Sequence, residues 1–208
     1  MKTTILLAAA MVASLSVAAD AHFILVSPAA SIIQNRLGDP QKIAPCGGVS
    51  ANAARGTAAN PGVPSGAVTE LKGGSTFHLL VQETVFHPGH YRVALARTAA
   101  ELPADPVVTT RDSERGPWSV SAAIQSPTVA PVLADGLFAH TERPMGAFEA
   151  DIEIPNINCR NCLMQVIQFM AEHAKNADGD YSYHHCAVVN VTADPSKPMD
   201  SRWTPATR

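Results

Sequence analysis

Hydrophobic and polar positions alternate most cleanly from Ala147 to Ile154. Phe148, Ala150, Ile152 and Ile154 fall on one face there, and Glu149, Asp151 and Glu153 on the other. A period of two marks a half-buried β-strand. Shorter apolar runs, several of them β-branched, predict further strands at Phe23 to Val26, Ser75 to Gln82, Tyr91 to Ala96, Leu163 to Met170 and Ala187 to Thr192. Leu163 to Met170 also fits a buried helical turn, because a short apolar run carries no period. The connections are rich in Pro, Gly and Ala, and no internal repeat is present. Many short strands with irregular connections predict an all-β fold, an antiparallel immunoglobulin/fibronectin-like β-sandwich with long loops. Pro45 to Val68 and Ala99 to Thr141 read as the two long loops. The domain is expected over residues 22–195. Residues 196–208 form a tail, extended or frayed, with Trp203 placed to pin it back.

The first residues lie outside this pattern. Lys2, an apolar stretch from Ile5 to Val17, and Ala19-Asp20-Ala21 predict a secretory signal peptide over residues 1–21. The apolar run is short for a bilayer span and no basic flank follows it. The expected mature protein is therefore secreted or periplasmic. Its 208-residue precursor is 46% apolar and 16% charged, enough for one domain with a substantial core. A net charge of −3 with 15 Lys and Arg and no basic run argues against nucleic-acid and anionic-membrane partners. A monomer is expected.

The four cysteines, Cys46, Cys159, Cys162 and Cys186, all follow the leader. Export favours two disulfides. Of the three pairings, Cys46 with Cys186 and Cys159 with Cys162 is preferred. The alternative is a zinc site of Cys159, Cys162, Cys186 and either His184 or His185. No thioredoxin-like βαβ pattern surrounds Cys159-x-x-Cys162, so redox catalysis there lacks its usual context.

Eight histidines outnumber Phe, Tyr or Trp taken singly. Cleavage after Ala21 makes His22 the first residue. Its α-amine, with an unperturbed pKa of about 8, and its Nδ1 can then close a chelate ring on one metal ion. Four more histidines fall in two groups, Phe86-His87-Pro88-Gly89-His90-Tyr91 and Tyr181-Ser182-Tyr183-His184-His185-Cys186. The first group is a Pro-Gly turn leading into a strand, a position from which a ring faces outward at one end of a sandwich. His184 and His185 are neighbours near a strand, so their rings point to opposite faces and at most one approaches a given metal. Gln165 and Gln168 are either hydrogen-bonded within a sheet or close to that metal. His78 and His140 are assigned no role.

The mature start His22-Phe23, the segment Pro45-Cys46-Gly47-Gly48, the turn His87-x-Gly89, the run Cys159-x-x-Cys162-Leu163-x-Gln165, and Tyr183-x-x-Cys186-Ala187 occur in that order. Together they resemble the lytic polysaccharide monooxygenases and their relatives. The Cys-Gly-Gly and Cys-x-x-Cys-x-x-Gln elements are similar to the arthropod chitin- and cellulose-active group. Tyr-x-x-Cys-Ala is similar to the fungal cellulose-active group, and the start with Pro-Cys-Gly-Gly to the fungal copper-acquisition proteins on the same fold. The resemblance covers His22 to about Asp194.

The resemblance implies copper in a histidine brace, with His22 giving its amine and Nδ1 and His87 a ring nitrogen. These ligand types suit copper, and a planar set suits its divalent state. It places Tyr183 on the metal axis, where a Cys46 to Cys186 bridge would stiffen that side. The sequence also departs from these families. His90 stands where they carry no ligand and rivals His87. Tyr181 stands where the fungal enzymes carry Gln. His173, the nearest match to their catalytic second histidine, is one residue out of register, with Glu172 in its place. The expectation is a copper-dependent polysaccharide monooxygenase that takes electrons from an external donor. The alternatives are a copper-binding or copper-acquisition protein without turnover and a metal-free adhesive sandwich.

Overall fold

The computed structural model describes residues 22–48, 62–176 and 179–203. The expected signal peptide, most of the first long loop and residues 204–208 lie outside them. Among the described residues the strands are β1 (His22–Ser27), β2 (Val68–Lys72), β3 (Thr76–Val85), β4 (Gly89–Ala96), β5 (Val108–Arg111), β6 (Trp118–Ala122), β7 (Val132–His140), β8 (Phe148–Glu153), β9 (Cys159–Met170) and β10 (Ser182–Thr192). They build the expected all-β sandwich. One sheet has the order β1-β3-β8, the other β2-β10-β9-β4-β7, and β5 and β6 form a separate hairpin. One pair departs from the antiparallel expectation, because β2 runs parallel to β10 from Val68 opposite Val188 to Lys72 opposite Thr192. These two strands are far apart in sequence, so no hairpin dictates their direction.

The alternation read in β8 is what it buries: Ile152 faces inward while Glu149, Asp151 and Glu153 stay exposed. In β3 the inward positions are Leu79, Val81 and, in the same register, Glu83. Central strands β4, β9 and β10 are buried nearly throughout, since loops cover the face turned away from the other sheet. Leu163 to Met170 is therefore strand, not helix. Phe23, Leu25, Leu79 and Val81 pack against Tyr91, Val93 and Val166 to form the middle of the core.

The second long loop needs correction. Ala99 to Thr141 contains a 3-10 turn at Ala99–Glu101 and strands β5, β6 and β7. The hairpin is mostly polar and exposed, so no apolar alternation reveals it. In β7, Gly136 and Phe138 take positive φ, and the pairing with β4 shifts register there, which breaks the period of two. The tail is also held rather than frayed as far as Trp203. Asn156 Nδ2 donates to the carbonyls of Asp194, Lys197 and Pro198 at 3.0–3.1 Å, and Trp203 packs on the core. No helix among the described residues is long and apolar enough to cross a membrane.

Both preferred disulfides form, Cys46–Cys186 and Cys159–Cys162, and no cysteine is left free. The thiolate zinc alternative is thereby removed.

Candidate metal centre

Strand register gathers the site. His22, at the start of β1, lies opposite Val85 at the end of β3, and the turn that follows carries His87. Gly89 at the start of β4 lies opposite Met170 at the end of β9, and Phe169 lies opposite Ser182 at the start of β10. These five strand ends therefore share one end of the sandwich. Tyr91, Gln168 and Tyr183 stand opposite one another across β4, β9 and β10, so their side chains share the inner face. The His22 ring sits edge-on to the Tyr183 ring, centroids 5.3 Å apart at 64°. The His87 ring meets that of His173 in the same manner at 4.8 Å. His87 turns its Nδ1 edge into the protein. His173 is fixed behind it: Nδ1 bonds the Ala174 carbonyl, and its main chain pairs with Ser119 of β6.

A strap along β1 holds the first two residues. Gln34 accepts from the Leu25 N–H and donates to its carbonyl, while Gln41 Oε1 accepts the Phe23 N–H at 3.1 Å. Asp39 Oδ1 lies 3.2 Å from His22 Nε2. Burial opposes ionisation of Asp39. The hydrogen bond and charge of His22, with Lys42 and Asn35, outweigh it and hold the carboxyl below its usual range. The Cys46–Cys186 bridge and a bond from the His184 N–H to the Gln41 carbonyl fasten the strap to β10.

Glu83 is the residue that the sequence reading missed. Its Oε1 accepts from Gln168 Nε2 at 2.7 Å, from the His87 N–H at 3.3 Å and from His140 Nε2 at 3.3 Å. His140, assigned no role from sequence, is thus part of the frame that fixes the His87 turn. Burial lowers the His140 pKa, but hydrogen bonds to Glu83 and to the Phe138 and His87 backbone, with the Glu83 charge, raise it overall. The signal for Glu83 was legible: Leu79 and Val81 set an inward register that puts a carboxylate in the next core position.

Other histidines lie elsewhere. His90 follows Gly89 and precedes inward Tyr91, so its ring faces the opposite side of the sheet, tilted against Phe169. Burial lowers its pKa. His184 points to that side too, where Nε2 reaches both Asp105 oxygens at 2.9 and 3.0 Å. His185 turns inward beneath Phe23. Gln165 donates to the Pro45 carbonyl, and exposed His78 lies between Asp151 and Glu149. Tyr181 donates to the Pro117 carbonyl. Of the two glutamines only Gln168 belongs to the site.

Among the described residues no three His, Cys, Asp or Glu side chains converge as a metal-holding group. A brace asks for less, two imidazoles and a terminal amine, and the donors present fit it. The Asp39 carboxylate is placed to accept a hydrogen bond from His22 Nε2, and a brace would use Nδ1 together with the amine. The chain matches no protein-family model and no curated protein.

Proposed function

We propose that the mature protein is an exported copper protein that resembles the lytic polysaccharide monooxygenases and oxidises glycosidic carbons of a polysaccharide. The observation that carries this reading is the His22 arrangement: Asp39 at Nε2, Tyr183 against the ring, and a chain start that cleavage turns into an amine. Copper supplies redox chemistry: with two electrons from an external donor and two protons, dioxygen gives one oxygen atom to a C–H bond and the other to water. His22 and His87 would hold it. Tyr183, edge-on to the His22 ring, would border the site, and His173, edge-on to the His87 ring, would steady that ligand. Gln168, anchored on Glu83, lies beside Tyr183.

Copper-loaded mature protein with a reductant should release oxidised oligosaccharides from cellulose, chitin or another glycan. Electron paramagnetic resonance should show nitrogen ligation that loses one imidazole in His87→Ala and is unchanged in His90→Ala. One extra residue before His22 should weaken copper binding sharply, because the amine then leaves the chelate. Unchanged binding in the extended form would refute the brace.

A second reading, copper carriage without turnover, is favoured by one observation. The exposed large hydrophobic side chains among the described residues are Val, Ile, Leu and Met, and the aromatic rings there are buried or half-buried, which leaves little flat surface to stack on a sugar. Tight copper binding with no product from any glycan would select it.

A further inference from the structure

We infer that Asp39 is the positioning residue of the His22 ligand: its carboxylate fixes the ring proton on Nε2 before any metal arrives, and its negative charge biases the site toward the oxidised metal ion. The inference rests on the copper reading above and adds what tunes that site.

The contact is built into the fold, unlike a chance surface ion pair. The His22 and Asp39 side chains are only 7% and 22% exposed. Asn35 Oδ1 accepts the N–H groups of Leu37, Gly38 and Asp39 at 2.8, 3.0 and 3.1 Å, and the Asn35 N–H returns to the Asp39 carbonyl at 2.9 Å. This turn lies flat on β1. Gly38 has φ +103°, and a Cβ there would stand 1.9 Å from the Phe23 carbonyl oxygen. The Thr84 hydroxyl is within hydrogen-bond distance of both the His22 and Leu37 carbonyls, at 3.0 and 2.6 Å. Turn and strand thus lie against each other at the His22 and Phe23 carbonyls.

A neutral imidazole carries one proton, and the nitrogen that keeps it is set by the acceptor it faces. Asp39 accepts at Nε2, which places the ring's lone pair on Nδ1. The same negative charge favours a divalent over a monovalent ion. Partners of this kind typically change metal affinity by about 10–100-fold.

The test uses mature protein with its native amino terminus, as wild type, Asp39→Asn and Asp39→Ala, each checked for folding by thermal melting. Asn keeps an acceptor and removes the charge, whereas Ala removes both. In metal-free wild type, ¹⁵N NMR at pH 8 should show His22 protonated on Nε2, with that proton protected from exchange. Protection should be lost in Asp39→Ala. Copper(II) affinity should fall about tenfold in Asp39→Asn and up to about 100-fold in Asp39→Ala. The reduction potential should rise by about 59 mV for each tenfold by which copper(II) binding falls more than copper(I) binding. An Nδ1-protonated or unprotected His22 ring in the wild type overturns the inference, as do copper(II) affinity and potential unchanged in Asp39→Ala. If wild type itself binds no copper, the copper reading fails and the NMR result alone decides whether Asp39 positions the ring.

Discussion

His185 makes the fold around the site sensitive to acid. It is fully buried on β10, where Nε2 donates to the Phe23 carbonyl at 3.2 Å and the ring packs edge-on against the Phe23 ring at 4.8 Å. Burial is the largest influence and, helped by the charge of His184, lowers its pKa to about 4 against the raising effect of the Phe23 and Gly38 backbone and Asp39. The native state therefore keeps His185 neutral where the unfolded chain, titrating near 6.5, takes up a proton. Stability from this residue is complete above pH 6.5 and is lost as the pH falls toward about 4. The loss is about 2 kcal/mol by pH 5 and approaches about 3 kcal/mol below pH 4. Urea unfolding of the metal-free mature protein at pH 7.5 and 5.0 measures it, with His185→Gln as a non-titrating control. Wild type should lose about 2 kcal/mol more than the control between the two pH values, since the other titrating groups are common to both. An equal loss in the two proteins would refute the reasoning.

Three other outcomes follow from the same contacts. Replacing Cys46 and Cys186 together by Ser opens a link between residues 140 apart in sequence and should cost about 2–5 kcal/mol in chemical denaturation. Gly38→Ala puts a Cβ 1.9 Å from the Phe23 carbonyl at a positive φ, so it should destabilise the fold by more than about 1 kcal/mol and weaken copper binding with it. Glu83→Ala leaves Gln168, His140 and the His87 N–H without their shared acceptor and should cost about 3–5 kcal/mol, read as a lowered melting temperature. A melting temperature equal to wild type would remove Glu83 from the frame of the site.

The sequence by itself determined the all-β class and most core strands, because these depend on local period, whereas it left three cysteine pairings and a zinc alternative open and the fold selected the preferred pairing. Alternation in Phe148 to Glu153 is a local property that survives any packing. It could not determine β7, whose period is broken by backbone bends at Gly136 and Phe138, or the polar β5–β6 hairpin. His22 and His87 were legible as metal-ligand candidates from residue type and order along the chain. Their surroundings were not. Asp39 reaches His22 through a turn stitched by Asn35, and Glu83 reaches His87, Gln168 and His140 across three strands and a turn. Which face His90 takes was decided by strand register, which sends it to the side opposite Tyr91. Ligand types are written residue by residue along the chain. The groups that orient them, and the pKa of a buried ring such as His185, arise only when distant segments remove water from one another, and that is a property of the tertiary structure.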